Sequence, residues 1–121
     1  MDLRSFEQLF KAFSDKQRLR ILALLSHGPL VVNDIKNVLH LSMSTVSQHL
    51  TILRNAGLVI DNKEGRWVYY SLTKELLASR ELPGIVFKEL SRHFDQEESF
   101  VYDYELLKKI GKPAIDLKKP K

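Results

Sequence analysis

The chain contains no cysteine. Disulfides, thiolate metal ligands, oxidisable sulfur and a cysteine nucleophile are therefore excluded together. Glycine and proline are sparse, five and four in 121 residues, and no glycine-rich phosphate loop occurs. No apolar run reaches the roughly 18 residues needed to span a bilayer, so no membrane partner is expected. The N-terminus MDLRSFEQLF lacks the charged-then-apolar layout of a secretory signal, which predicts a cytoplasmic location. HExxH and paired-histidine metal motifs are missing as well. Ser42, Ser44 and Ser47 share one helical stretch with His49, a poor geometry for a serine–histidine pair with an oxyanion hole. The chain is not expected to be an enzyme.

What is present is a helix with an unusual outer face. In LSMSTVSQHLTILRNAGLV (41–59), Ser42 is placed to cap a helix and Gly57 to stop it. At 3.6 residues per turn, Val46, Leu50 and Leu53 fall on one side, which must be buried. Ser44, Gln48, Thr51 and Asn55 point the other way, flanked by Thr45 and Ser47. A solvated helix face usually carries Lys and Glu, whereas this one is uncharged before Arg54. Small hydroxyl and amide side chains can approach base edges and phosphates in the major groove. The plain alternative is a surface helix that happens to be rich in Ser and Thr, with Ser42 and Ser44 serving as caps. His49 lies near the edge of the buried side and reads as a structural hydrogen-bonder, and Met43 as a packing residue at the helix start.

The neighbours of this helix favour a groove reader. Upstream, VVNDIKNVLH (31–40) has a helical stripe at Val32, Ile35, Val38 and Leu39, and the connection Leu41-Ser42 is short enough for a helix-turn-helix. Downstream, Leu58-Val59-Ile60 and Trp67-Val68-Tyr69-Tyr70 read as strands around a turn-rich connector, Asp61 to Arg66. Lys63 and Arg66 would project from that hairpin toward a phosphate backbone. A net charge of +4 and a pI near 9.4 suit a polyanion partner.

The run Phe13-Ser14-Asp15-Lys16-Gln17-Arg18-Leu19-Arg20-Ile21-Leu22, followed by LSMSTVSQHL, LRNAGLV and EGRWVYYSL, resembles the winged-helix repressors of the ArsR/SmtB family. The resemblance covers about Phe6 to Leu72. It implies a homodimer on a pseudo-palindromic operator of double-stranded DNA, released when an inducer binds, with Met43 to Asn55 reading the groove and Asn62 to Arg66 as wing tip. The expected fold is mostly α with a two-stranded β-hairpin (α+β), a winged helix-turn-helix dimerising through its first and last helices. The expected DNA contacts are Ser42, Ser44, Thr45, Ser47, Gln48, Thr51, Arg54, Lys63 and Arg66. A winged-helix module that has lost DNA binding and docks a protein is the rival reading. It would need an apolar outer face, and Ile52 is the one ambiguous residue there.

The same resemblance places the family's thiolate metal site in the helix that here reads VVNDIKNVL. Without cysteine that site is not carried over, and neither is redox or persulfide sensing. In the family's zinc and nickel sensors, His and carboxylate ligands lie on the last helix. Here His93 and Glu97 are one turn apart, with Asp103 and Glu105 further on, but the Asp-x-His pattern and a second distant His are missing. His93 and its neighbours also read as a solvated surface with Arg92. No cofactor is expected, zinc or nickel at His93 and Glu97 being the one alternative left open.

Phe6, Leu9, Phe10 and Phe13 form a helical stripe near the N-terminus, and Ile85, Val86, Leu90 and Phe94 a second one, continued by Phe100, Val101, Tyr104, Leu106, Leu107 and Ile110. These stripes suit a dimer interface or the core. Pro83-Gly84 separates a short helix, Thr73 to Ser79, from one long terminal helix. Residues 1–110 are expected to form one winged helix-turn-helix domain. Residues 111–121 follow as a basic mobile tail, with six lysines between Lys108 and Lys121.

Overall fold

The computed structural model describes residues 1–78 and 80–110. The expected lysine tail, and Ser79 at the end of the expected short helix, lie outside the described residues. Asp2 opens the first helix, α1 (Leu3–Phe13), by accepting from the Ser5 amide at 2.9 Å. Asp15 opens α2 (Lys16–Leu25) by accepting from the amides of Gln17 and Arg18. Each carboxylate satisfies backbone N–H groups that a helix start leaves without partners.

A two-residue strand, β1 (Leu30–Val31), runs straight into α3 (Val32–Leu39). His40 ends α3 in the left-handed conformation (φ 58°), and its amide bonds back to the Lys36 carbonyl at 2.9 Å. That reversal, usually made by Gly or Asn, leaves room only for Leu41 and Ser42 before α4 (Met43–Asn55) begins. The bounds of α4 are those expected from its caps. Gly57 takes positive φ (79°) just beyond it, a conformation with little cost for a residue lacking Cβ. Met43 is exposed and does not pack at the helix start as expected.

The wing differs from expectation in two ways. First, β2 (Val59–Glu64) runs through most of the supposed connector and pairs antiparallel with β3 (Trp67–Leu72), Glu64 facing Trp67. Only Gly65 and Arg66 turn the chain, with φ positive at Gly65 (63°) and not at Arg66. This is the type II′ pattern that matches strand twist. Second, the sheet has three strands, in the order β1-β3-β2, because Leu30 and Val31 pair with Tyr70 and Tyr69. Two residues are too few for an alternating pattern to reveal a strand.

Thr73 then caps α5 (Lys74–Ala78), accepting from the Leu76 amide while its hydroxyl donates to the Gly57 carbonyl at 2.9 Å. The single long terminal helix is in fact two, α6 (Leu82–Ser91) and α7 (Glu98–Ile110). Phe94 turns inward between them, edge-on to Phe87 and Phe100 at 5.8 and 5.1 Å between ring centres. Glu97 restarts the helix by accepting from the amides of Ser99 and Phe100.

The core gathers Leu9, Ile21, Leu22, Leu24, Ile35, Val38, Leu50, Leu53 and Leu58 from the first four helices and the strand entry, and is closed by Leu76, Phe87 and Leu107. The last helix folds back onto α2 and α3. Arg20 holds it there, donating from Nε and Nη2 to the two Asp103 carboxylate oxygens at 2.8 Å each, with Asp103 only 1% exposed. The His27 ring stacks on Tyr104 at 3.7 Å.

A buried cation, Arg18, joins three helices. Its Nε and Nη2 donate to the carbonyls of Ala12 (3.1 Å) and Lys11 (2.8 Å) at the end of α1, and its Nη1 meets His49 Nδ1 of α4 at 3.1 Å. His49 is thus the structural hydrogen-bonder expected. Burial pushes the His49 ring below its ordinary value of 6.5, and the Arg18 charge adds to this while the Asp15 carboxylate opposes it.

Removing one partner of a buried ion pair strands the other in a poor solvent. Arg20→Ala is expected to cost about 3 kcal/mol in urea-induced unfolding, and pairing Arg20→Met with Asp103→Leu should recover most of that. His49 sets a pH dependence. The unfolded ring takes up its proton near 6.5 while the folded ring resists it, so the contribution of the neutral ring is complete above that value and fades as pH falls below it. His27, also lowered by burial and by Lys108, acts in the same direction. The test is therefore the difference between wild-type and His49→Asn stability curves from pH 7.5 to 5, where the variant should lose less.

Candidate nucleic-acid interface

The two faces of α4 divide as its sequence requires. Val46, Leu50 and Leu53 are buried, while Ser44, Ser47, Gln48, Thr51 and Asn55 are exposed and Ile52 is half-buried. At the start of the helix Ser42 accepts from the Thr45 amide at 3.1 Å. The Ser42 hydroxyl donates to Thr45 Oγ1 at 2.9 Å and lies 3.2 Å from Ser44 Oγ. The three hydroxyls hold one another in place, so less side-chain freedom remains to be lost when a ligand binds. Thr51 donates its hydroxyl proton back to the Ser47 carbonyl at 3.0 Å, which leaves it acceptor lone pairs for a base or water. Gln48, exposed in mid-helix, offers both an amide donor and a carbonyl acceptor, the pair that adenine's groove edge matches.

The cations expected to meet phosphates are arranged less simply than their sequence suggests. Arg54 is ion-paired across to the wing, 3.5 Å from Asp61 on β2, with both side chains about two-fifths exposed. An exposed pair of this kind contributes little stability, but it gives Arg54 a partner that a phosphate must replace. Lys63 shares a strand face with Asp61 and sits opposite Val68. Arg66, in the turn, lies over the Trp67 ring at 5.8 Å, within cation–π range. Residues 61–66 carry two acids and two bases, so the wing is a patterned rather than uniformly positive surface.

Two features escaped the sequence. Asp61 as the Arg54 partner had no local signal, because the pairing depends on where the hairpin folds relative to α4. Arg18 was visible only as one letter of a family-like run, yet it fixes the flank of α4 through His49. A small cleft between α1 and α4, lined by Gln8, Lys11, Ile52 and Asn55, also brings α1 beside the end of the helix.

The candidate metal ligands are spread over the turn after α6 and over α7. His93 and Glu97 lie in the turn after α6, and the Glu97 carboxylate is engaged in capping α7. Asp103 is held by Arg20, and Glu105 pairs with Lys108 at 3.2 Å. Among the described residues no group of three or more His, Asp or Glu side chains is placed to hold an ion. No described helix is long and apolar enough to cross a membrane.

Residues 15–61, from the Asp15 cap to Asp61 on the wing, match the family described as "Bacterial regulatory protein, arsR family". The arsenical resistance operon repressor of Escherichia coli K12 is 44% identical over 72 residues, covering 59% of this chain. That match spans 62% of the Escherichia coli protein, less than two thirds of its length. The arsenical resistance operon repressor of Bacillus subtilis 168 is 37% identical over 89 residues, 73% of this chain and 80% of that one. Among solved structures, Mb0332 of Mycobacterium bovis superposes with a TM-score of 0.62 at 29% identity, over 79% of this chain and 87% of that one. Mb0332 is described as a homodimeric winged helix-turn-helix DNA-binding domain of a possible ArsR-family regulator. With the helix-turn-helix, the wing and the extended match to the Bacillus subtilis repressor in agreement, the chain belongs to the ArsR family of bacterial regulatory proteins.

Proposed function

We propose that the protein is a homodimeric transcriptional repressor that reads a pseudo-palindromic operator, placing α4 in the major groove and β2–β3 against the backbone. The observation that carries this reading is the outward face of α4. It is polar, uncharged from Ser44 to Thr51, and exposed beside a helix-turn-helix corner too short to fold otherwise. A protein-docking module would present apolar groups there. The relatives' names, both repressors, support the direction of regulation.

Dimerisation is supported by apolar surface that one chain leaves uncovered. Leu3, Phe6 and Phe10 are 84, 39 and 51% exposed on α1, and Ile85 on α6 is 53% exposed. Val101 and Tyr102 keep an outward face on α7 although that helix packs on α2 and α3. Two half-sites about one DNA turn apart require two copies of α4. Release by an inducer proceeds without thiolate chemistry, since the chain has no cysteine.

The test is binding to the duplex upstream of the protein's own gene, at fixed salt, against a random duplex. Preference for the former is expected, and equal affinity for both would overturn the reading. Gln48→Ala should lose about 1–3 kcal/mol at one base-pair position and relax the preference there. Arg66→Ala should weaken all duplexes alike and reduce the dependence of log affinity on log salt by roughly one unit.

A further inference from the structure

We propose that His49 is a further DNA contact, its Nε2–H donating to a backbone phosphate at the edge of the groove that α4 enters, with Arg18 as the positioning residue. The inference rests on the reading of α4 as the groove helix. Its starting point is a constraint on the proton. A guanidinium can only donate, so the 3.1 Å contact from Arg18 Nη1 obliges His49 Nδ1 to accept. The neutral ring then carries its proton on Nε2. Burial and the Arg18 charge both disfavour a second proton, which keeps this tautomer in place at neutral pH.

The donor is also accessible. The only buried side-chain nitrogen or oxygen without a partner among the described residues is Asp34 Oδ2, and the ring's hydrogen bond is made by Nδ1. Nε2 of this half-buried ring therefore makes no bond within the protein and is not sealed from solvent. It sits one residue beyond Gln48 and one turn beyond Thr45, on the flank of α4 rather than on its outward stripe. That flank adjoins the end of α1, where the exposed Lys11 lines a cleft with Ile52 and Asn55. A lone N–H on the flank matches a phosphate oxygen better than a base edge, which is read by paired donors and acceptors. The ring cannot swing away without breaking the Arg18 bond, and Arg18 is itself fixed by the two α1 carbonyls. The donor is thus held ready before DNA arrives.

His49→Asn tests this directly, because the shorter amide can place its oxygen where Nδ1 stood while deleting the Nε2 donor. At pH 7.5 the variant should unfold like wild type and bind operator and random duplex about 5- to 10-fold more weakly, the value of one net hydrogen bond. The salt slope should stay unchanged, since no charge is lost. Wild-type affinity on both duplexes, or a loss confined to the operator, would overturn the proposal. In wild-type protein, long-range ¹H–¹⁵N spectra of the ring should show Nε2 protonated, with its proton shifted and protected on adding duplex. An Nε2 signal indifferent to a duplex that the protein binds would overturn it independently of any variant. If wild type binds no duplex while the spectra show the Nε2–H tautomer, the DNA reading fails and this inference falls with it, leaving only the Arg18–His49 geometry established.

Discussion

A buried guanidinium holds this domain in register. Arg18 is 7% exposed, and a charge so far from water is tolerated only when every donor finds an acceptor. Two carbonyls at the end of α1 and the His49 ring accept from it, with the Asp15 carboxylate more distant at 3.9 Å. The Ala12 carbonyl gains as well, since a helix end leaves its last carbonyls short of intrahelical donors, while that of Lys11 also accepts from the Ser14 amide at 3.2 Å. Three helices from different parts of the chain thus meet at one side chain, and α4 is one of them. Shifting α4 along or about its axis would strand a buried positive charge, so its outward face is fixed by a group that never touches that face.

With the helix fixed, the remaining features of the interface follow from local chemistry. The hydroxyls of Ser42, Ser44 and Thr45 satisfy the open start of α4 and one another. Thr51 returns its proton to the helix backbone. Gln48 keeps both halves of its amide available for recognition. The Arg54–Asp61 pair joins the wing to α4 at the surface, too exposed to add much stability and free to exchange Asp61 for another anion.

The extent to which the sequence revealed this depended on range. The bounds of α4 were legible because Ser42 and Gly57 act within a turn of where they stand. The division of its faces was legible because periodicity is a local property. The third strand was not, since β1 has two residues and exists only by pairing with Tyr69 and Tyr70 almost forty positions later. The break between α6 and α7 was hidden by an apolar stripe that ran through it. What interrupts the helix is Phe94 filling a space between Phe87 and Phe100, a packing event with no signature in spacing. The Arg20–Asp103 pair, 83 residues apart, and the Arg54–Asp61 pair both required the fold before they could be seen. Of the expected DNA contacts on α4, Ser44, Ser47, Gln48 and Thr51 lie exposed as periodicity places them, whereas Arg54, on the same helix, acquired a protein partner that its neighbours in sequence did not announce.

The return of α7 onto α2 and α3 bears on how the protein is made. Leu107 enters the central core and Asp103 neutralises Arg20, so the helix-turn-helix emerging from a ribosome lacks one wall and leaves Arg20 with Gln17 as its side-chain partner. Domains fold as units once their long-range contacts are available, and here the closing contacts arrive last. The core cannot close before residue 107 is free, whereas the Arg18 contacts that orient α4 lie wholly within residues 11–49. The order of residues along the chain therefore makes closure of the core, through α7 on α2 and α3, the last of these packing events.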